Sequence, residues 1–154
     1  MDSVTCLCSN VRRAALALTA RYDDALAPHG LKVTQLSLLH AVKRREAPNL
    51  TELAEATGLD RSTLGRNLRL LEAAGLVALS LGGDQRDRRA ALTEAGRTQL
   101  RAATRTWAAL QDELGAALGP DAERLVAVSR RVTELARAPA TRPGLPAAAE
   151  GRTR

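Results

Sequence analysis

The chain has 154 residues, a formal net charge of +6 and two aromatic residues, Tyr22 and Trp107. That length accommodates one ordinary core but not two independent ones, and a positive excess that is almost entirely arginine favours an anionic partner. The near absence of aromatics argues against recognition by stacking bases on aromatic side chains, and so points away from RNA and single strands towards duplex DNA.

The N-terminus shows no apolar run behind a basic start, and no stretch approaches the ~18 apolar residues that span a bilayer. A cytoplasmic protein is expected. Two cysteines one residue apart, Cys6 and Cys8, make no disulfide framework, which suits a reducing compartment. Residues 10–26 place Val11, Ala15, Leu18, Tyr22 and Leu26 on one helical stripe, and Pro28-His29-Gly30 stops that helix. A second helix over residues 34–45 turns Leu36, Leu39 and Val42 inward, and Pro48 closes the link beyond it.

Residues 49–96 are the most informative stretch. Asn49 caps a helix whose third residue is Glu52, with Leu50, Leu53 and Ala54 on one face, and Thr57-Gly58 breaks it. Asp60 caps the next helix, in which Leu64, Leu68 and Leu71 form a buried stripe at spacings of four and three. The opposite face carries Arg61, Ser62, Arg66, Asn67 and Arg69, and Gly65 among them leaves little bulk. Two helices joined by a short glycine-containing turn, the second rich in arginine and small hydroxyls, match a recognition helix entering the major groove. Arginine forks onto guanine, asparagine onto adenine, and hydroxyls reach base edges or phosphates. Standing alone, the same face reads equally well as a solvated helix surface.

The residues after this helix shift that balance. Gly75 ends the helix, residues 76–81 read as a short apolar strand, and Gly82-Gly83-Asp84 turns the chain into Arg86-Asp87-Arg88-Arg89 and a returning segment, residues 90–92. A hairpin with a basic tip beside a recognition helix can lie along phosphates or push an arginine into the minor groove. Local ion pairing of Asp84 and Asp87 with their arginine neighbours is compatible with that role.

After Thr93 a long helix repeats Leu100, Ala103, Trp107, Leu110, Leu114 and Leu118, a seam for another helix. Gly119-Pro120-Asp121 turns and restarts the chain, and Leu125, Val128, Val132 and Leu135 mark the face of a final helix. From Pro139 the composition loses periodicity, so residues 139–154 are expected to be a disordered basic tail. The apolar stripes at both ends exceed what one small domain can cover, so a second copy is the expected cover. An intramolecular bundle is the alternative.

Asp60-Arg61-Ser62-Thr63-Leu64, then Leu71-Glu72-Ala73-Ala74-Gly75-Leu76-Val77, then Asp84-Gln85-Arg86 and Leu92-Thr93-Glu94-Ala95-Gly96 resemble the DNA-binding core of the MarR transcriptional regulators. The resemblance runs over roughly residues 8–138. It implies a mainly α fold with a small β-wing: a winged helix-turn-helix core, residues 34–96, flanked by a dimerisation helix in residues 1–33 and two more in residues 97–138. It also implies a homodimer that sets two recognition helices ~34 Å apart on a pseudo-palindromic double-stranded DNA site. Asp84 and Arg86 inherit the family's wing roles, the arginine often reaching DNA. Expected DNA contacts are therefore Arg61, Ser62, Thr63, Arg66, Asn67, Arg69, Asp84, Arg86, Arg88 and Arg89.

The signal sensed is a separate matter. Cys6 and Cys8 lie at the start of the first helix, where its dipole and Arg12 and Arg13 favour thiolate and hence oxidation. Cys8 precedes Tyr22 by fourteen residues, a spacing similar to the organic hydroperoxide sensors within the family, where a tyrosine at that offset helps poise the reactive cysteine. The sensors' second tyrosine would fall at about Val33, and the C-terminal half has no resolving cysteine. Soft-metal binding by paired Cys-x-Cys motifs and simple packing are the alternatives. Family members often bind small aromatic acids between the dimer helices and the DNA-binding lobe, a crevice that Tyr22, Leu39 and His40 would line here. His29 is expected to be exposed and His40 to be an interface residue; no metal site or cofactor is expected. No catalytic triad, phosphate loop or dinucleotide motif occurs, so an enzyme is not expected. The competing classes are a repressor released by a chemical signal, a winged-helix module that binds protein, and a thiol peroxidase using Cys8.

Overall fold

A computed structural model describes residues 6–81 and 88–137. The expected wing-tip residues Asp84 and Arg86 and the expected tail, residues 139–154, lie outside the described residues. The elements run α1 (Leu7–Leu26), a single 3-10 turn (Ala27–His29), α2 (Val33–Arg45), α3 (Leu50–Thr57), α4 (Arg61–Ala73), β1 (Val77–Leu81), β2 (Arg88–Leu92), α5 (Glu94–Leu118) and α6 (Asp121–Arg137). The described residues form two compact units that divide after Glu113.

Local capping sets the starts of α3 and α4. The Asn49 side chain accepts from the Glu52 amide at 2.9 Å while the Asn49 amide donates to the Glu52 carboxylate at 2.8 Å, satisfying two amides at the start of α3 reciprocally. Asp60 accepts from the Thr63 amide at 2.9 Å to open α4. Helix α2 begins one residue before the expected start, because Asp23 from the end of α1 accepts from the Val33 amide at 2.8 Å. Helix α1 begins three residues earlier than its apolar stripe indicated, so Cys8 lies inside it and Cys6 precedes it. The Asn10 side chain, inside the helix, donates to the Cys6 carbonyl at 3.0 Å.

The core of the first unit lies between α2, α3, α4, the hairpin and the front half of α5. Leu53, Leu64, Leu68 and Leu71 are fully or almost fully buried there beside Leu100 and Ala103. Each such leucine contributes ~1.5–3 kcal/mol relative to an exposed one. Helix α2 buries Leu38 and Ala41 besides the expected Leu36, Leu39 and Val42, so apolar residues surround most of its circumference. That is the pattern of a central helix rather than a surface one.

The wing strands pair antiparallel from Val77↔Leu92 to Leu81↔Arg88, and the returning strand is two residues longer than expected. The link between α2 and α3 supports it from outside: the Ala90 amide donates to the Pro48 carbonyl at 3.0 Å, and Asn49 bridges to Arg89. To reach that edge the link places Glu46 at φ 47° and Ala47 at φ 59°, a left-handed conformation that costs side-chain-bearing residues about 1 kcal/mol each.

Apolar residues remain exposed at both ends, although Leu26 at the end of α1 is buried and Leu18 and Tyr22 are half-buried. In α1, Val11 is 50% exposed and Leu16 61%. In α6 no residue is buried, and Leu125, Val128, Val132 and Leu135 are all exposed. No described helix is long and apolar enough to cross a membrane.

Candidate nucleic-acid interface

Helix α4 is anchored by its leucines, which hold the opposite face outward. Arg61, Ser62, Arg66 and Arg69 are exposed there, and Arg88 and Arg89 are exposed on β2. Two expected contacts are partly engaged by the helix itself. The Thr63 hydroxyl donates to Asp60 at 2.6 Å, and the Asn67 amide donates to the Thr63 carbonyl at 2.9 Å. The bonds that Asp60 receives from Thr63, the hydroxyl first and the backbone amide second, hold its carboxyl below the usual carboxylate range. One guanidinium nitrogen of Arg89 donates to the Ala47 carbonyl at 3.4 Å, tying wing to link.

The helix presents two edges to two different hollows. Thr63, Arg66, Asn67 and Leu70 face a hollow of about 820 Å³ shared with Asp23, Lys32, Thr34 and Gln35 from the junction of α1 and α2. Gly65, Leu68 and Arg69 face a notch of about 200 Å³ shared with Leu50, Leu79 and Arg88. The sequence reading missed Lys32, Thr34 and Gln35 as neighbours of Arg66. Nothing local marks them, since they lie about thirty residues away and meet α4 only through folding.

Behind the wing, one threonine organises the return of the chain. The Thr93 hydroxyl donates to the Gly75 carbonyl at 2.7 Å and accepts from the Gly96 amide at 2.9 Å, while the Thr93 amide donates to the Leu76 carbonyl at 3.1 Å. Gly75, at φ 69°, ends α4 so that this carbonyl points correctly. The Leu-Thr-x-x-Gly run is therefore a clamp across the base of the hairpin.

The residues considered for sensing are more scattered. Cys8 is exposed and Cys6 half-buried, both as free thiols. The Ser9 hydroxyl, and then its amide, favour the thiolate of Cys6 and hold that pKa below the ordinary thiol value. Cys8 and Tyr22 both lie on α1, so fourteen residues of helix separate them by ~21 Å within one chain. Tyr22 instead donates to the Gln111 side chain on α5, and burial pushes its pKa up.

The expected ligand crevice also changes composition. Leu39 is fully buried in the core and so is closed to a ligand. His40 does border a cavity, of about 410 Å³, together with Ser37, Arg44, Thr57 and Trp107. Burial, and then Arg44 and Lys43, push the His40 pKa down, and its Nε2 lies 3.2 Å from the Thr104 hydroxyl. His29, expected to be exposed, is half-buried because its ring meets Thr106 at 2.7 Å and its carbonyl accepts from Gln99. No cluster of three or more potential metal ligands occurs among the described residues.

Three helices, a tight turn, an outward arginine face and a two-stranded wing define the winged helix-turn-helix class. The family model described as "MarR family" matches residues 29–90. MosR, a transcriptional regulator of M. tuberculosis solved in complex with DNA, is 38% identical, with 86% of this chain and 98% of that one covered at a TM-score of 0.74. A second MosR structure is 36% identical, covering 87% and 99% at 0.75. CouR, a transcriptional repressor bound to a 23-mer DNA duplex and known from Rhodococcus jostii RHA1, is 28% identical, covering 89% and 97% at 0.76. No curated protein sequence matches. The chain belongs to the MarR family of transcriptional regulators, whose members are not enzymes.

Proposed function

We propose that the protein binds a pseudo-palindromic operator in duplex DNA as a homodimer, represses from it in the cytoplasm, and is released by a chemical signal. The observation that carries this reading is the outward arginine face of α4, Arg61, Arg66 and Arg69, with Arg69 sharing a notch with Arg88 of the wing, where Arg89 is also exposed. Arginine from two rigid elements suits a recognition helix in the major groove and a wing on the adjoining phosphates. Ser62, Thr63 and Asn67 add hydrogen-bonding groups on the helix, and family resemblance assigns Asp84 and Arg86 to the DNA contacts.

Residues 34–96 are the DNA-binding core on this reading. The exposed apolar residues of α1, Val11 and Leu16, and of α6, Leu125, Val128, Val132 and Leu135, are the surfaces a second copy would bury, and two linked units give the avidity a single one lacks. MosR and CouR are both described as DNA-bound, which supports the same partner here.

Oxidation at Cys8, with Cys6 as its near neighbour, is the release signal most consistent with an exposed thiol beside one whose thiolate is favoured. Tyr22 would poise such a thiol only across the dimer, given its distance along α1. A second reading, induction by a small aromatic acid, rests on the cavity beside His40, Arg44 and Trp107.

The test is a mobility shift of the purified full chain on DNA from its own upstream region at low ionic strength, repeated with organic peroxide, soft metals and phenolic acids. A specific shift abolished by one of these supports the reading. A folded protein that shifts no fragment overturns it.

A further inference from the structure

Gly65 sits in the middle of α4, where neither common reason for a glycine operates. Its backbone is ordinary right-handed helix, and a Cβ built on it meets nothing within 4 Å. A mid-helix glycine weakens a helix relative to alanine through its extra backbone freedom. The space it leaves is one the chain itself does not fill.

That space belongs to the notch between α4 and the hairpin, with Leu50, Leu68 and Leu79 as its apolar lining and Arg69 and Arg88 as its charged residues. The two arginines come from different elements and both are exposed. The Nε of Arg69 donates to the Gly65 carbonyl at 3.3 Å, which holds the guanidinium beside the glycine. Two guanidinium groups on one apolar notch match a sugar–phosphate strand: they fork onto phosphate oxygens while the deoxyribose meets the leucines.

We propose that this notch seats the sugar–phosphate backbone of one DNA strand between α4 and the wing, with Arg69 and Arg88 on the phosphates and Gly65 as the clearance that admits it. The inference rests on the DNA-binding reading above and adds a residue whose role is the absence of a side chain. A phosphate seat carries no sequence information, so disturbing it lowers affinity for all duplexes alike.

The experiment titrates the full chain, Gly65→Ala, Gly65→Leu and the double variant Arg69→Ala/Arg88→Ala against two duplexes, one enriched from a randomised pool by the unaltered protein and one of scrambled sequence. Gly65→Leu is expected to lose at least about tenfold on both duplexes, and Gly65→Ala to lose affinity on both while melting at a higher temperature than the unaltered protein. The double arginine variant should show a log–log salt slope shallower by about two. Should Gly65→Leu melt lower, the alanine variant decides. Affinities within about twofold of the unaltered protein for both glycine variants, or a loss confined to the enriched duplex, overturn the proposal. An unaltered protein that binds neither duplex overturns the DNA-binding reading instead.

Discussion

The carbonyl of Leu76 occupies the space that a methyl group on Gly96 would need. The first turn of α5 therefore packs directly on the backbone entering β1, and the two are tied together by Thr93. Gly96→Ala should force that junction apart, lowering the unfolding free energy by roughly 1–3 kcal/mol. Urea titration measures it. An alanine variant as stable as the parent would mean that the junction gives way freely.

The α2–α3 link offers the opposite sign. Ala47 holds φ 59° while its carbonyl accepts from Arg89. Ala47→Gly should raise the unfolding free energy by up to about 1 kcal/mol, because glycine adopts that region without the steric cost. An unchanged urea slope with a higher midpoint is the expected result.

Asp60 gives a pH dependence of known sign. Its folded pKa is depressed by the Thr63 hydroxyl and amide, so its contribution is fully present above the unfolded value of ~3.9 and is lost as pH falls through the lower folded value. Asp60→Asn, which can still cap, should remove that acid-side loss, whereas Asp60→Ala should be less stable than the parent even near neutrality. Thermal melts across the acid range distinguish the two.

For the thiols, Cys8→Ser should abolish peroxide-induced release from DNA. In that variant Cys6 alone remains, and its alkylation should reach half-rate below the ordinary thiol pKa of ~8.5. Ser9→Ala added to it should move the midpoint upward, since the serine is the main cause of the lowered value. Release that persists unchanged in Cys8→Ser removes the thiol from the mechanism.

Among the arginines, Arg66→Ala should weaken binding to the preferred duplex by about 1–3 kcal/mol with little effect on random sequence, as expected for base reading. Arg88→Ala should weaken both and flatten the salt dependence by about one phosphate contact. Equal losses on both duplexes for Arg66→Ala would reassign it to the backbone.

The sequence by itself determined what depends on neighbours three or four residues apart. The Asn49–Glu52 box, the Asp60 cap, the Leu64–Leu68–Leu71 stripe and the arginines facing away from it were legible because helical geometry ties those positions together whatever surrounds them. Tertiary structure decided the rest. Leu38 and Ala41 broke the expected one-sided burial of α2, because a helix at the centre of the core is covered from several directions. Gly96 needed Leu76, Tyr22 met Gln111 and His29 met Thr106 across gaps of twenty to almost ninety residues. The notch that pairs Arg69 with Arg88 likewise exists only once α4 lies against the hairpin. Such contacts leave no periodic trace in the chain, since they are set by how whole elements pack and not by the spacing within any one of them.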